Sequence, residues 1–323
     1  MRHSSLCRTI AGFTFLLTIM AVSRGLAAPI EPLPLTGTRV LILGDSITQD
    51  GRYVAFLDYY LHQLSPRAHT DIVSIGLSSE TVSGLSEGSH PFPRPCVLER
   101  VDRALKATKP AVVFACYGMN DGIYHPSSPE RLAAFKSGVR QLIERVRGAG
   151  AKLVLITPPV FDATSIAART VGLEASEFSY GKPFADYDAV LAEFAAAETA
   201  LVEPDVTVVD VHSAMRSALA ERRGSDPKFN FAPDGVHPAD AGHLLIAQTL
   251  LTSLGYAVST ANADGELERV KSDPVFELMR MRRQLRSEAW LPFIGYTRGE
   301  RFKSASVDAA EQAVAHLSKE IEQ

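Results

Sequence analysis

Arg39-Val40-Leu41-Ile42-Leu43 runs directly into Gly44-Asp45-Ser46-Ile47-Thr48. Four consecutive aliphatic residues, with no polar alternation, are the mark of a strand covered on both faces. Four more runs follow: Asp71–Ile75, Ala111–Cys116, Lys152–Ile156 and Val206–Val209. Helix-like stretches separate them, most clearly Val54–Leu64, Val97–Ala107 and Arg131–Arg147. In the last of these Leu132, Phe135, Val139, Leu142, Ile143 and Val146 recur at three- and four-residue steps, which lays one apolar stripe against a sheet. Gly148 and Gly150 stop it. A final helix is expected over Ala239–Leu254. Strands alternating with helices predict an α/β fold with a parallel sheet and right-handed crossovers.

Two regions depart from this alternation. Residues 158–187 begin with Pro158-Pro159 and end in Tyr180-Gly181-Lys182-Pro183 and beyond, as an inserted loop or lid does. Residues 258–323 contain no apolar strand. They hold a charged, helical stretch Glu268–Glu288, an aromatic patch (Trp290, Phe293, Tyr296) and an alanine-rich helix Val307–Ile321. We read them as a helical appendage, with the aromatics as its core packing and sugar stacking as the alternative.

The 323 residues are 46% hydrophobic and 22% charged with a net charge of −4, which excludes a largely disordered chain and disfavours a nucleic-acid binder. Arg2 and Arg8 precede fifteen uncharged residues from Thr9 to Ser23, and Gly25-Leu26-Ala27-Ala28 offers small residues for cleavage. This is the pattern of a signal peptide, with residues 1–27 removed. The alternative is an uncleaved anchor, although a span needs about 20 apolar residues. Cleavage removes Arg2, Arg8 and Arg24 and no acid, taking the charge from −4 to −7. Cys7 leaves with that segment. Cys96 and Cys116 are expected as two unpaired thiols, although export permits a bridge.

Three short segments carry chemistry. Ser46 follows the first strand and so lies at the carboxyl edge of the sheet, where open α/β sheets bind ligands. Alone, Gly44-Asp45-Ser46 is equally a capped turn. Gly118-Met119-Asn120-Asp121-Gly122 follows the third strand. Its Asn120 amide can donate to an oxyanion, but Asn-Asp-Gly is also turn chemistry. Asp234-Gly235-Val236-His237-Pro238 precedes the last helix. Its carboxylate can hold one imidazole nitrogen and leave the other to take a proton; a solvated pair and half of a metal site are the alternatives. His243, inside the last helix, reads as surface or packing. Taken together, a nucleophile, an oxyanion donor and an oriented base are the set that acyl transfer requires.

In this order and spacing the three segments resemble those of the SGNH/GDSL hydrolases, over about residues 38–254. The resemblance implies a flavodoxin-like three-layer α/β/α sandwich with a five-stranded parallel sheet. It bounds a hydrolase domain at 28–257 and a C-terminal extension at 258–323. It implies Ser46 as nucleophile, His237 as base, Asp234 as its orienter, and an oxyanion hole from Asn120 and the N–H groups of Ser46 and Ser79. Asp45 is then a loop brace. The family's second segment, usually Asn-x-Gly-x-x-Gly, is here Ser74-Ile75-Gly76-Leu77-Ser78-Ser79. Aligned on Gly76, the donor falls on Ser79, with Gly76 and Ser78 as alternatives.

No cofactor and no metal are implied. The expected activity is that of an exported serine esterase, periplasmic or extracellular, acting through an acyl-enzyme. The leading substrate is an O-acetylated carbohydrate, a small molecule or a polysaccharide. A lysophospholipid or short acyl ester is the second reading, and a non-catalytic carbohydrate-binding or envelope scaffold is the reading from another class. Neither nucleic acid nor stable membrane insertion is expected.

Overall fold

In the computed structural model, the described residues are Met1, 33–66, 70–298, Lys303 and 305–322. The proposed signal segment 1–27 lies outside them apart from Met1. The five apolar runs form strands β1 (Arg39–Gly44), β2 (Asp71–Ser74), β3 (Val112–Cys116), β4 (Lys152–Ile156) and β5 (Val206–Val209). They make one sheet in the order β2-β1-β3-β4-β5, with every neighbouring pair parallel. Successive side chains point to opposite faces. Leu41, Leu43, Val113, Ala115, Leu153 and Leu155 enter one core, and Val40, Ile42, Val112, Phe114, Val154 and Ile156 enter the other. Burial on both faces is why these strands read as unbroken apolar runs.

The helices are α1 (Ser46–Asp50), α2 (Arg52–Leu64), α3 (Val101–Thr108), α4 (Pro129–Gly148), α5 (Tyr187–Thr199), α6 (Val211–Ser225), α7 (Asp240–Ser253), α8 (Ala263–Ser272), α9 (Pro274–Ile294) and α10 (Val307–Ile321). Helices α3, α4 and α5 cover one face of the sheet, and α2, α6 and α7 the other. Local chemistry sets their ends. Ser128 caps α4 by accepting from Arg131 N–H, with Pro129 in the first turn. Asp210 caps α6 through Ser213 N–H at 3.0 Å.

Several expectations need correction. The stretch Val97–Ala107 is a short 3₁₀ turn, Val97–Glu99, followed by α3, because Arg100 leaves helical geometry. The stretch Glu268–Glu288 is parts of two helices. Asp273-Pro274 separates them: Asp273 is extended, as residues before proline are, and caps α9 through Val275 N–H. In the aromatic patch Trp290 and Tyr296 are buried, but Phe293 is 63% exposed. The segment 158–187 is a packed loop with one 3₁₀ turn, Ala163–Ile166. Cys96 and Cys116 are free, as expected, and both are buried. No helix among the described residues is long and apolar enough to cross a membrane.

Helix α9 packs across α2 and β2. β2 is an edge strand, whose unpaired carbonyls need partners or cover. Arg286 Nη1 donates to Ile72 O at 3.1 Å, and Ser287 Oγ donates to Ser74 O. Phe276 stacks on Phe56 of α2 with ring centroids 4.7 Å apart, and buried Arg282 pairs with Asp58. Trp290, Leu291 and Ile294 join the same core as the sheet. Phe276→Ala is therefore expected to destabilise the whole molecule by about 3 kcal/mol. Chemical denaturation of that variant should show one transition at lower denaturant. An early, separate loss of helix that leaves the main transition in place would contradict this packing.

Candidate active site

Between β1 and β3 the order of the sheet reverses, because β2 lies outward of β1 while β3, β4 and β5 follow on the other side. The loops leaving β1 and β3 diverge there and open a crevice at the carboxyl edge. Ser46 opens α1 directly after β1, and Asn120 lies four residues beyond β3. Asp45, buried, caps α1: its Oδ1 accepts from Ile47 N–H at 2.9 Å.

His237 reaches this crevice from the loop before α7. Its Nε2 lies 2.8 Å from Ser46 Oγ and its Nδ1 2.7 Å from Asp234 Oδ2. The other oxygen, Asp234 Oδ1, accepts from the N–H groups of Val236 (2.9 Å) and His237 (2.7 Å). This local turn fixes the carboxylate, which accepts from Nδ1–H and leaves Nε2 bare toward the serine hydroxyl. The His237 and Asp234 side chains are 44% and 52% exposed, so the site is open.

The electrostatics follow the contacts. Burial works to raise the Asp234 carboxyl, but the hydrogen bonds from His237 and Val236 outweigh it and hold it well below the usual range. The hydrogen bond to Asp234 raises the His237 imidazole, and partial burial opposes it. Burial pushes Asp45 up to about 7, against the stabilising Ile47 N–H. His243 is fully buried within α7. Burial pushes it down to about 3, and its Nδ1 accepts from Tyr53 N–H at 3.2 Å, so it is a neutral packing residue.

The segment after β2 supplies the other wall. Ser79 has φ +65°, the left-handed region that favours glycine. Ser78 N–H is committed to Gln49 Oε1 at 2.6 Å. Gly76 is required for close approach, since a Cβ there would lie 2.3 Å from Gln49 N. Of the three positions, Ser79 faces neither constraint. Asn120 is buried, and its Nδ2 donates to Glu80 O at 3.2 Å and, more weakly, toward Asp45 Oδ2 at 3.4 Å.

Beneath these groups lies a buried polar layer that sequence reasoning missed. Arg100 pairs through two bonds with Glu80 (2.7 and 2.6 Å) and also donates to Ile75 O at 2.8 Å. Tyr117 O–H donates to Glu80 Oε2 at 2.7 Å. Asp121 accepts from the N–H groups of Val82, Ser83 and Gly118. Arg94 is paired with Glu87 (2.6 and 2.7 Å). The segment 158–187 also meets the site: Asp162 N–H donates to Gly235 O at 2.9 Å and Arg169 to Asp234 O at 3.0 Å. Among the described residues no group of three His, Cys, Asp or Glu side chains is placed to hold a metal ion.

The model of the GDSL-like lipase/acylhydrolase family matches residues 42–245. No curated protein matches the chain. Among solved structures, a catalytic mutant of an acetylxylan esterase from Geobacillus stearothermophilus is 21% identical, with a TM-score of 0.51 over 69% of this chain and 96% of the other. A gut microbial diltiazem-metabolizing enzyme is 17% identical, with a TM-score of 0.51 over 71% of this chain and 49% of the other. At these identities the likeness is one of fold, the five-stranded parallel sheet with flanking helices. Since the family model spans well over half of its residues, this chain belongs to the GDSL-like lipase/acylhydrolase family of SGNH-type, ester-hydrolysing enzymes.

Proposed function

We propose that the protein is an exported serine esterase that removes acetyl groups from an O-acetylated carbohydrate. The observation that carries the reaction is the chain of hydrogen bonds from Ser46 Oγ through His237 to Asp234. In this reading Ser46 attacks the ester carbonyl while His237 Nε2 takes its proton. The tetrahedral oxyanion is held by Asn120 Nδ2 and the N–H groups of Ser46 and Ser79. The protonated His237 then donates to the leaving alkoxide, and Asp234 stabilises the imidazolium. Water, activated by the same imidazole, releases the acid from Ser46.

The substrate class rests on two supports. The half-exposed His237 and Asp234 suit a small acyl group carried on a large molecule. A solved structure of the same fold is that of an acetylxylan esterase. Export rests on the leader-like residues 1–27, and the intact mass of protein recovered from outside the cytoplasm tests cleavage after Ala27.

Variants test the roles. Ser46→Ala is expected to abolish both release of acetate from acetylated xylan and labelling by a fluorophosphonate. Labelling of another serine, or full turnover in this variant, would remove Ser46 as nucleophile. Asn120→Ala is expected to lower kcat by about 10²- to 10³-fold with KM little changed. Ser79→Gly keeps the N–H and relieves the left-handed strain, so it should change kcat less than about tenfold while stabilising the fold by about 1 kcal/mol. A Ser79→Gly loss as large as that of Asn120→Ala would mean that the hydroxyl itself acts. If lysophospholipid is turned over and acetylated saccharides are not, the substrate class is wrong and the mechanism stands.

The pH profile gives a second test. His237 must be neutral to accept a proton, and Asp234 raises its titration. Activity should therefore fall toward acid along a limb centred above about 6.5, the ordinary imidazole value. Asp45, at about 7, titrates in the same window, so the limb is assigned by following the His237 imidazole by NMR. Asp234→Asn should move that titration downward. An imidazole titrating below its ordinary value in the native protein would contradict the pairing.

A further inference from the structure

We propose that Arg94 is the positioning residue of the oxyanion site, clamping the Asn120 carboxamide and the Ser79 carbonyl with one guanidinium. The inference rests on the reading above, in which Asn120 and Ser79 are the donors. It adds what holds them in place.

Arg94 is 1% exposed and uses every edge of its fork. Nε and Nη2 donate to the two carboxylate oxygens of Glu87, and Nη1 donates to Asn120 Oδ1 at 2.9 Å. The same Nη1 makes a longer contact with Ser79 O at 3.4 Å. A carboxamide is nearly symmetric in shape, so its orientation must be chosen by its partners. Here Oδ1 also accepts from Tyr124 O–H at 3.2 Å, which fills both acceptor directions. Nδ2 must then point the other way, toward Glu80 O and Asp45. A flipped amide would set its NH₂ against the guanidinium and leave a buried N–H of Arg94 unpaired, which disfavours that orientation.

Of the two amide hydrogens, one is held by Glu80 O, and the other has only the 3.4 Å contact with Asp45. That second hydrogen is the one free to meet an oxyanion. Arg94 reaches the site from fifteen residues beyond Ser79. Its own N–H donates to Ser86 Oγ at 3.1 Å, which ties the two ends of the loop 86–94 together. Glu87 balances the charge of Arg94, so the side chain acts by holding geometry and not by adding a positive field to the crevice. An amide aimed beforehand costs no reorganisation when the charge develops, and the loss on removing Arg94 should therefore fall on kcat.

The test is a double-mutant cycle on purified enzyme with an acetyl ester. Arg94→Met should lower kcat by about 10- to 100-fold with KM changed less than about threefold. In the Asn120→Ala background the same change should add less than about threefold, because the amide it positions is gone. Arg94→Lys keeps a cation opposite Glu87, but one ammonium cannot reproduce the fork. It should lose kcat in the same direction with a melting temperature near that of the parent. If Arg94→Met does not fold, the lysine variant carries the same cycle. Losses that multiply fully with Asn120→Ala, or an unchanged kcat in the Arg94 variants while Asn120→Ala is impaired, would overturn the assignment to Arg94 alone. Full activity in Asn120→Ala would overturn the oxyanion reading beneath it, and this inference with it.

Discussion

The buried ion pair between Glu80 and Arg100 is the interaction on which the site depends. Both side chains are essentially sealed from solvent, Glu80 at 0% and Arg100 at 1%. Arg100 spans from Glu80 to the carbonyl of Ile75, just past β2, and Tyr117, just past β3, donates to the same carboxylate. The backbone carbonyl of Glu80 accepts from Asn120. One residue thus joins the segment bearing Ser79 to the segment bearing Asn120. Removing one member of a buried pair strands the other charge, at a cost of about 3–5 kcal/mol. These loops accordingly have little freedom to move apart.

The sheet explains why loops so distant in sequence meet. Parallel strands covered on both faces leave only their edges open, and the reversal between β1 and β3 opens the carboxyl edge. Ser46 and Asn120 occupy that crevice from neighbouring strands. Asp234 and His237 arrive from the loop before α7, and Asp162 and Arg169 hold that loop from the outside. The C-terminal helices act at the far border, where α9 caps the exposed carbonyls of β2.

Much of this was legible in the sequence. The strands were readable because double-sided burial leaves no polar alternation to confuse, and the helix 307–321 because its alanines favour helix. Helices α5 and α6 were not singled out. α5 is alanine-rich with apolar residues around much of its surface, and α6 buries only Val211, His212 and Met215. Ser46 and Asn120 stood out by their place after strand ends, and Asp234 and His237 by lying three residues apart just before the last helix. Glu80, Glu87, Arg94, Arg100 and Asp121 did not, since charged residues in loops ordinarily face water. Only the fold reveals that Glu87 and Arg94 are partners, or that Asp121 collects three backbone N–H groups. The left-handed backbone of Ser79 carried only an indirect signal, the glycine usual at that position, because serine itself gives none of positive φ.

In the proposed mechanism an oxyanion forming on a Ser46 ester lies between Asn120 and the Ser46 and Ser79 backbone. A crystal structure of the protein inactivated by an organophosphonate tests it most directly, since the phosphonyl oxygen mimics the tetrahedral oxyanion. A covalent bond from phosphorus to Ser46 Oγ is expected, with the phosphonyl oxygen about 2.7–3.1 Å from Asn120 Nδ2 and from the Ser46 and Ser79 nitrogens. A phosphonyl oxygen turned away from Asn120 and Ser79, or an adduct on another residue, would contradict it.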